Sequence, residues 1–349
     1  MELFDILRFI LLLSVLIFVH EGGHFLLAKL AGVKVEEFGF GIPPRLWGRK
    51  WGDTLYSLNL LPIGGFVRLK GEEAGETLGF GGADSFAVKS KLRRALIIAA
   101  GALGNLILAW ILFSVLWGVG NLVPAGKVLV SEVLKGSPAA EAEFREGDFI
   151  LSLNGTSTPD VTDLVSLTQA NLGKTVVLKV ERAGEIREVS VLARATPPQG
   201  EGPIGFAVET ATEEVRLPFW QAPWAGLSTT FENLGLMVKG IGSIITSIFR
   251  GEEVAVGGPV AIYALTSAVA DGGVKPFLSF MAILSLNLVV VNLLPIPALD
   301  GGRILFIALE ALRGKRLSAR TEQLVNSLGF AFLLLLIVLL SIRDLRTFF

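Results

Sequence analysis

Two imidazoles and a carboxylate stand together in Phe18-Val19-His20-Glu21-Gly22-Gly23-His24-Phe25, inside an apolar run that begins near Ile6. Residues four apart share one face of a helix, so His20 and His24 can approach a single ion, with Glu21 beside the first of them. These residue types at this spacing suit a zinc hydrolase. The histidines hold Zn²⁺, and the glutamate, left off the metal, takes a proton from the attacking water and returns it to the leaving amine.

The 349 residues contain 2 histidines and no cysteine, so any soft-metal site must combine His20 and His24 with a carboxylate. Apart from Arg8, the run from Ile6 to Val19 is almost wholly apolar, and it resumes from Phe25 to Ala31 with Lys29 near its end. Ionisable groups are expensive in hydrocarbon and call for a partner such as a metal. With no metal, the same residues read as polar positions facing a bundle interior. Gly22 and Gly23 weaken a helix, but their missing side chains let a substrate backbone or a neighbouring helix come close to the metal.

The elements that must position this motif belong to a membrane protein. Hydrophobic residues make up 52% of the chain and charged residues 18%, with a mean hydropathy of +0.62. A net charge of -1 argues against a nucleic-acid partner, and the absence of cysteine excludes disulfides. The first apolar stretch, about Leu3 to Ala31, exceeds a signal-peptide core and is read as a retained span. Basic residues crowd the loop that follows, from Lys34 to Arg94, marking it cytoplasmic and the amino terminus external. Inside that loop Asp53 to Glu72 reads as two extended runs around Pro62-Ile63-Gly64-Gly65. That is a hairpin signal, and its apolar tip, Leu58 to Phe66, can dip into the membrane beside the metal or pack as a cytosolic hairpin.

A second span is expected from Ala95 to Val119, where Gly101, Gly104 and Asn105 form a small-residue face suited to packing against the first. The Asn105 amide reads either as interhelical glue or as a hydrogen-bonding group at the site. From Pro124 to about Val215 the chain becomes polar and strand-rich, with one helix near Thr162 to Leu172. Between Leu217 and Asp271 an amphipathic helix carries Leu234, Met237, Val238, Ile241, Ile244, Ile245 and Ile248 on one face, and a second apolar stretch follows from Val254 to Ala270. Span parity does not decide whether these enter the bilayer.

The third span, Pro276 to Pro297, runs into Ala298-Leu299-Asp300-Gly301-Gly302-Arg303. Asp300 is the best available third zinc ligand: two histidines and one carboxylate leave a fourth position open for water. Read without a metal, it is a helix-end turn residue. Asn287 and Asn292 are further polar groups in this span, either donors to a substrate carbonyl or oxyanion or helix-packing residues. Basic residues from Arg303 to Arg320 restore the cytoplasmic signature, and Leu324 to Ile342 forms a fourth span.

The strand-rich stretch resembles a PDZ domain. Gly136-Ser137-Pro138-Ala139-Ala140, Glu146-Gly147-Asp148, Ile150 and Leu153-Asn154-Gly155 stand in the order of the bacterial type. That resemblance implies a groove for an extended peptide or a C-terminus, with Ile204-Gly205-Phe206 the candidate carboxylate loop. The expected fold is an α-helical polytopic membrane protein of about four transmembrane helices with a membrane-associated β-hairpin and an inserted α/β PDZ domain. Its expected parts are 1–123, with the first two spans; 124–215, the PDZ domain; 216–273, a juxtamembrane amphipathic region; and 274–349, with the last two spans.

Taken together, His20-Glu21-Gly22-Gly23-His24, the segment Asn292 to Gly301 and the domain between them resemble the bacterial site-2 proteases, intramembrane zinc metalloproteases of the regulator of sigma-E protease type. The resemblance covers nearly the whole chain, Tyr56 to Gly71 included. It implies Zn²⁺ on His20, His24 and Asp300, Glu21 as general base, and Asn287 and Asn292 at the substrate. It also implies substrates that are single-pass membrane proteins, an anti-sigma factor or a remnant signal peptide. Localisation would be the bacterial inner membrane, with the PDZ domain extracytoplasmic and the site toward the cytoplasm. Some members carry two PDZ domains, and this chain has room for one. A competing reading is a PDZ-bearing membrane adaptor or chaperone with a structural metal; a metal transporter would need polar residues along spans that are nearly bare of them.

Overall fold

In the computed structural model, which describes residues 3–72, 82–198, 200–252 and 257–348, the chain opens with helix α1, Leu3–Leu30. Strands β1 (Val35–Trp51) and β2 (Thr54–Leu69), helix α2 (Lys91–Val119) and strand β3 (Asn121–Val133) follow. Next come α3 (Pro138–Glu141), β4 (Phe149–Leu153), β5 (Thr156–Ser157), α4 (Val161–Gln169), β6 (Thr175–Arg182), β7 (Glu185–Leu192) and β8 (Phe206–Val215). Helices α5 (Ala222–Phe249), α6 (Pro259–Asp271), α7 (Val274–Leu293), α8 (Asp300–Arg313) and α9 (Ala319–Phe348) complete the chain.

Two compact units emerge, one made of Met1–Gly118 with Pro218–Phe349, the other of Val119–Leu217. In the first, four helices among the described residues are long and apolar enough to cross a membrane: Leu3–Leu30, Lys91–Val119, Val274–Leu293 and Arg320–Thr347. Helix α6, at 13 residues, is too short to cross a hydrocarbon core of about 30 Å. Its first turn is capped from α9, where buried Asp344 Oδ2 accepts from Gly258 N–H and Ala261 N–H, each at 2.9 Å. The expected apolar stretch 254–270 begins outside the described residues.

Packing explains which face of α1 points inward. Leu12, Leu16 and His20 are buried at successive intervals of four, so one stripe of the helix faces the bundle. Leu12 and Leu16 join Ala109, Leu112, Phe113 and Leu116 of α2 and Met281, Ala282 and Leu286 of α7 in one apolar core. The interface between α1 and α2 is tight because glycine lines it. A Cβ at Gly23 would overlap the Ala100 carbonyl, and one at Gly104 would stand 2.8 Å from the Val19 carbonyl oxygen.

The strand region differs from expectation. The tight turn falls at Gly52-Asp53, where Trp51 pairs with Thr54, and not at Pro62-Ile63-Gly64-Gly65, which lies inside β2. Residues Glu37 to Phe40 pair with Leu55–Leu58 as well as with Gly65–Arg68, so the 62–65 stretch carries the chain from one side of β1 to the other. Gly64, at φ +96°, takes the bend.

A second correction concerns Asp300. Pro295 and Pro297 end α7 at Leu293, leaving Asp300 to open α8 instead of closing the preceding span. An acidic residue in the first turn suits the positive end of the helix dipole.

The second unit is an antiparallel sheet in the order β7-β6-β4-β3-β8, with β5 beside β4. Its core draws Val128 and Val130 of β3, Ile150 and Leu153 of β4, Val176, Leu178 and Val180 of β6, and Leu164 of α4. Unit and expectation differ at the start: β3 begins at Asn121 and runs through Pro124 as part of the ladder with β8. Beside the edge strand β8, α4 leaves an apolar groove lined by Leu164, Val165, Thr168, Ile204, Phe206 and Val208.

Asp148, 1% exposed, binds the sheet to a neighbouring turn by accepting from Arg182 Nε at 2.6 Å, Arg182 Nη2 at 2.7 Å and Arg145 N–H at 2.9 Å. Burial alone would raise its carboxyl, but the Arg182 and Arg145 donors outweigh burial and hold it below its usual value. A depressed carboxylate stabilises the fold above its unfolded pKa of about 4 and loses that contribution as pH falls through the folded value. Asp148→Asn is accordingly expected to cost about 3 kcal/mol at neutral pH. The deficit should begin to shrink below about pH 4, where the unfolded chain takes up the proton first, and disappear only as pH falls through the lower value of the folded state. Thermal unfolding of the detergent-solubilised full chain at pH 7 and in steps down to about pH 2 checks this; a deficit that stays constant throughout would discount the carboxylate.

Candidate metal centre

The inward stripe of α1 ends in the two imidazoles. His24 Nδ1 lies 2.9 Å from the Ile97 carbonyl oxygen of α2, so Nδ1 carries a proton and donates it, and Nε2 keeps its lone pair. That Nε2 stands 3.2 Å from His20 Nε2. Asp300 Oδ2 reaches the same point from α8, 3.1 Å from His20 Nε2 and 3.4 Å from His24 Nε2. The structure thus brings the three expected ligands together, one atom from each lying within 4.8 Å of the others.

This cluster fits a metal on chemical grounds. Asp300 Oδ2 is buried and makes no hydrogen bond among the described residues, which is costly for a carboxylate oxygen. Unshared pairs from two ring nitrogens and a carboxylate repel one another unless a cation lies among them. Two histidines and one carboxylate, the donors gathered here among the described residues, match a catalytic zinc site rather than a four-ligand structural one.

Close backbone contact sets the ligands in place. Gly101 of α2 lies against both rings: a Cβ there would stand 2.7 Å from His20 Nε2 and would overlap His24 Nε2. Asn105, fully buried one turn further on, presents its side-chain amide 3.5 Å from His20 Nδ1, while its backbone carbonyl accepts from Ser285 Oγ of α7 at 2.8 Å. The Asn105 side chain therefore meets the site, and the tie to α7 runs through its backbone.

Glu21 follows His20 but lies outside the ligand trio. Gly65 of β2 packs on it, a Cβ there falling 3.3 Å from Glu21 Cγ and 3.8 Å from Ile17 Cγ2. The bent part of β2 therefore packs against the stem of the Glu21 side chain. Gly22 faces open space, with no atom of the described residues outside its own turn of helix within 4 Å of a Cβ placed there. Of the two expected substrate-contact residues, Asn287 is exposed on α7 and Asn292 half-buried; the cluster is built without either.

Three contributors had no signal in the sequence: the Ile97 carbonyl, the left-handed Ala298 at φ +74°, and Asn326 of α9, whose Oδ1 accepts from Ala298 N–H at 3.2 Å. A backbone carbonyl acts through its position alone, and an asparagine in an apolar helix reads as packing.

Comparison with known proteins agrees with this geometry. Residues 8–336 match peptidase family M50. The zinc metalloprotease RasP of Geobacillus kaustophilus is 31% identical over 420 aligned positions, covering 99% of this chain and 98% of the relative. The regulator of sigma-W protease RasP of Bacillus subtilis is 30% identical, with 99% of each chain covered. A putative zinc metalloprotease of Clostridium perfringens is 34% identical, with 96% of each covered. Among solved structures, the PDZ domain of an SdrC-like protein from Listeria monocytogenes is 21% identical, covering 25% of this chain and 90% of that one at a TM-score of 0.22. With the family match spanning nearly the whole chain and a histidine pair and carboxylate gathered between apolar helices, the chain belongs to peptidase family M50, the site-2 proteases, and is a membrane zinc metalloprotease.

Proposed function

We propose that this protease cuts single-pass membrane proteins within or near their transmembrane segment, acting on an anti-sigma factor or a remnant signal peptide. The observation that carries this reading is the buried Asp300 Oδ2, without a hydrogen bond among the described residues, at the start of α8 and facing His20 Nε2 and His24 Nε2 of the membrane-length helix α1. His20, His24 and Asp300 hold the metal; Zn²⁺ supplies Lewis acidity that makes water nucleophilic near neutral pH and polarises the scissile carbonyl. Ile97 fixes the His24 ring by accepting from Nδ1. Glu21, off the metal, takes the proton from the attacking water on its carboxylate and delivers it to the leaving amide nitrogen. Water reaches these residues from the cytoplasmic side, and the open space at Gly22 leaves room for an unwound substrate backbone. Asn287 and Asn292 are assigned to substrate contact.

The unit Val119–Leu217 is read as the PDZ domain, facing the outside by span parity. In support, its edge strand β8 and helix α4 flank an apolar groove that begins at Ile204-Gly205-Phe206, where Gly205 is at φ +87°. Val161 N–H donates to Thr210 Oγ1 at 3.2 Å, closing the far end, which suits a C-terminus or short peptide better than a long strand. The adaptor reading is disfavoured by the number of donors: three protein ligands leave a position that a structural site would fill.

The test is cleavage of a single-pass substrate by the purified protein in liposomes. Cleavage should stop on chelation and return with zinc, and the mass of the products should locate the cut in or beside the apolar segment. Cleavage that survives chelation, or a cut confined to a distant soluble region, would overturn the proposal.

A further inference from the structure

The third ligand sits on an unusual piece of backbone. Between α7 and α8 the chain reads Leu294-Pro295-Ile296-Pro297-Ala298-Leu299, and Ala298, two residues before Asp300, adopts φ +74°. Alanine pays a steric penalty in the left-handed region because its Cβ crowds the following carbonyl oxygen. Such a residue persists only where its surroundings hold it there.

Two contacts from α9 supply that hold. Asn326 Oδ1 accepts from Ala298 N–H at 3.2 Å. Gly329, three positions along and on the same face, lies against the preceding residue: a Cβ there would stand 2.6 Å from Pro297 Cβ and 2.7 Å from its carbonyl oxygen. Past the turn, Gly301 and Gly302 let α8 begin directly beneath the carbonyls of Leu293, Leu294 and Ile296, where any Cβ would overlap. Leu299, at the N-cap of α8, offers no side-chain cap, so the direction in which α8 sets out depends on the turn before it.

We propose that Asn326 is a positioning residue for the third metal ligand. Its amide oxygen holds Ala298 in the left-handed turn, and the turn aims α8 so that the Asp300 carboxylate arrives between the two imidazoles. One hydrogen bond to a half-buried amide is comparable in size to the penalty of a left-handed alanine, so losing the first lets the second relax. The inference rests on the reading of His20, His24 and Asp300 as the zinc ligands.

Zinc affinity of the full-length protein in detergent, measured by competition with a chromophoric chelator, tests it without reference to proteolysis. Asn326→Ala should weaken zinc binding by about 10- to 100-fold, the range for residues that orient ligands. Ala298→Gly, which removes the left-handed penalty, should bind as wild type does, and adding it to Asn326→Ala should restore most of the lost affinity. His20→Ala serves as the control for the site itself. Zinc binding unchanged in His20→Ala would remove the assignment of the ligands. Zinc lost in His20→Ala but unchanged in Asn326→Ala would overturn the positioning role alone. Weakened binding that Ala298→Gly fails to restore would also overturn it, leaving Asn326 a packing residue. If Asn326→Ala does not fold, Ala298→Val carries the test: a β-branched residue in the left-handed region should weaken zinc binding as strongly, and wild-type affinity there would end the proposal.

Discussion

Glu21→Gln should lower the rate of cleavage by about 10²- to 10⁴-fold while the protein keeps its zinc. The two parts of that expectation have separate causes. Glutamine keeps the shape of the side chain, including the Cγ on which Gly65 packs, so α1 and β2 have no reason to move. None of the three converging ligand atoms comes from Glu21, so the metal loses no donor. What disappears is a carboxylate able to take a proton from water and return it to the leaving nitrogen, and an amide does neither near neutral pH. Single-turnover cleavage of a membrane-embedded substrate at matched zinc content separates the possibilities. A near wild-type rate would remove Glu21 from the role of base, and loss of zinc would make it a ligand.

The histidine motif was legible in the sequence because a helix turns a spacing of four into proximity and because no other histidine or cysteine competes for a metal. Asp300 was legible for a different reason: a carboxylate at the edge of an apolar segment needs a partner. Its place in the chain was less so. Pro295 and Pro297 announce that a helix stops, but a fresh helix starting at Asp300 depends on Ala298 adopting a left-handed turn, which an alanine does not advertise. The strand region shows a local signal losing to a tertiary one. Pro62-Ile63-Gly64-Gly65 is the stronger turn signature by composition, yet Gly52-Asp53 makes the turn. The reason is that Glu37 to Phe40 pair with residues on both sides, and the backbone must cross between them at 62–65. Groups that orient the ligands were the least legible. The Ile97 carbonyl belongs to a residue whose side chain says only that it is apolar, and Asn326 lies 26 positions beyond the ligand it is proposed to aim.

The same added methyl group should have opposite consequences at two glycines that both lie in membrane-length helices. Alanine is the better helix former by about 1 kcal/mol, so propensity alone favours Gly22→Ala and Gly101→Ala equally. At Gly22 no atom of the described residues outside its own turn of helix lies within 4 Å of the new carbon, and zinc affinity and thermal midpoint should match or slightly exceed the wild type. At Gly101 the new carbon would stand 2.7 Å from both Cε1 and Nε2 of His20 and would overlap His24 Nε2. Relief can come from turning the rings, which takes their lone pairs off the common point. It can come instead from moving α2 away, which also withdraws the Ile97 carbonyl from His24 Nδ1 and the Asn105 amide from His20 Nδ1. Either route spoils the site, so Gly101→Ala should reduce zinc affinity by about 100-fold, the upper range for changes outside the ligand set. A protein that folds, keeps its thermal midpoint and loses zinc would locate the damage at the ligands. Wild-type zinc affinity in Gly101→Ala would mean that the imidazoles have room the packing denies them, and that the closeness of α1 and α2 is not what holds them on the metal.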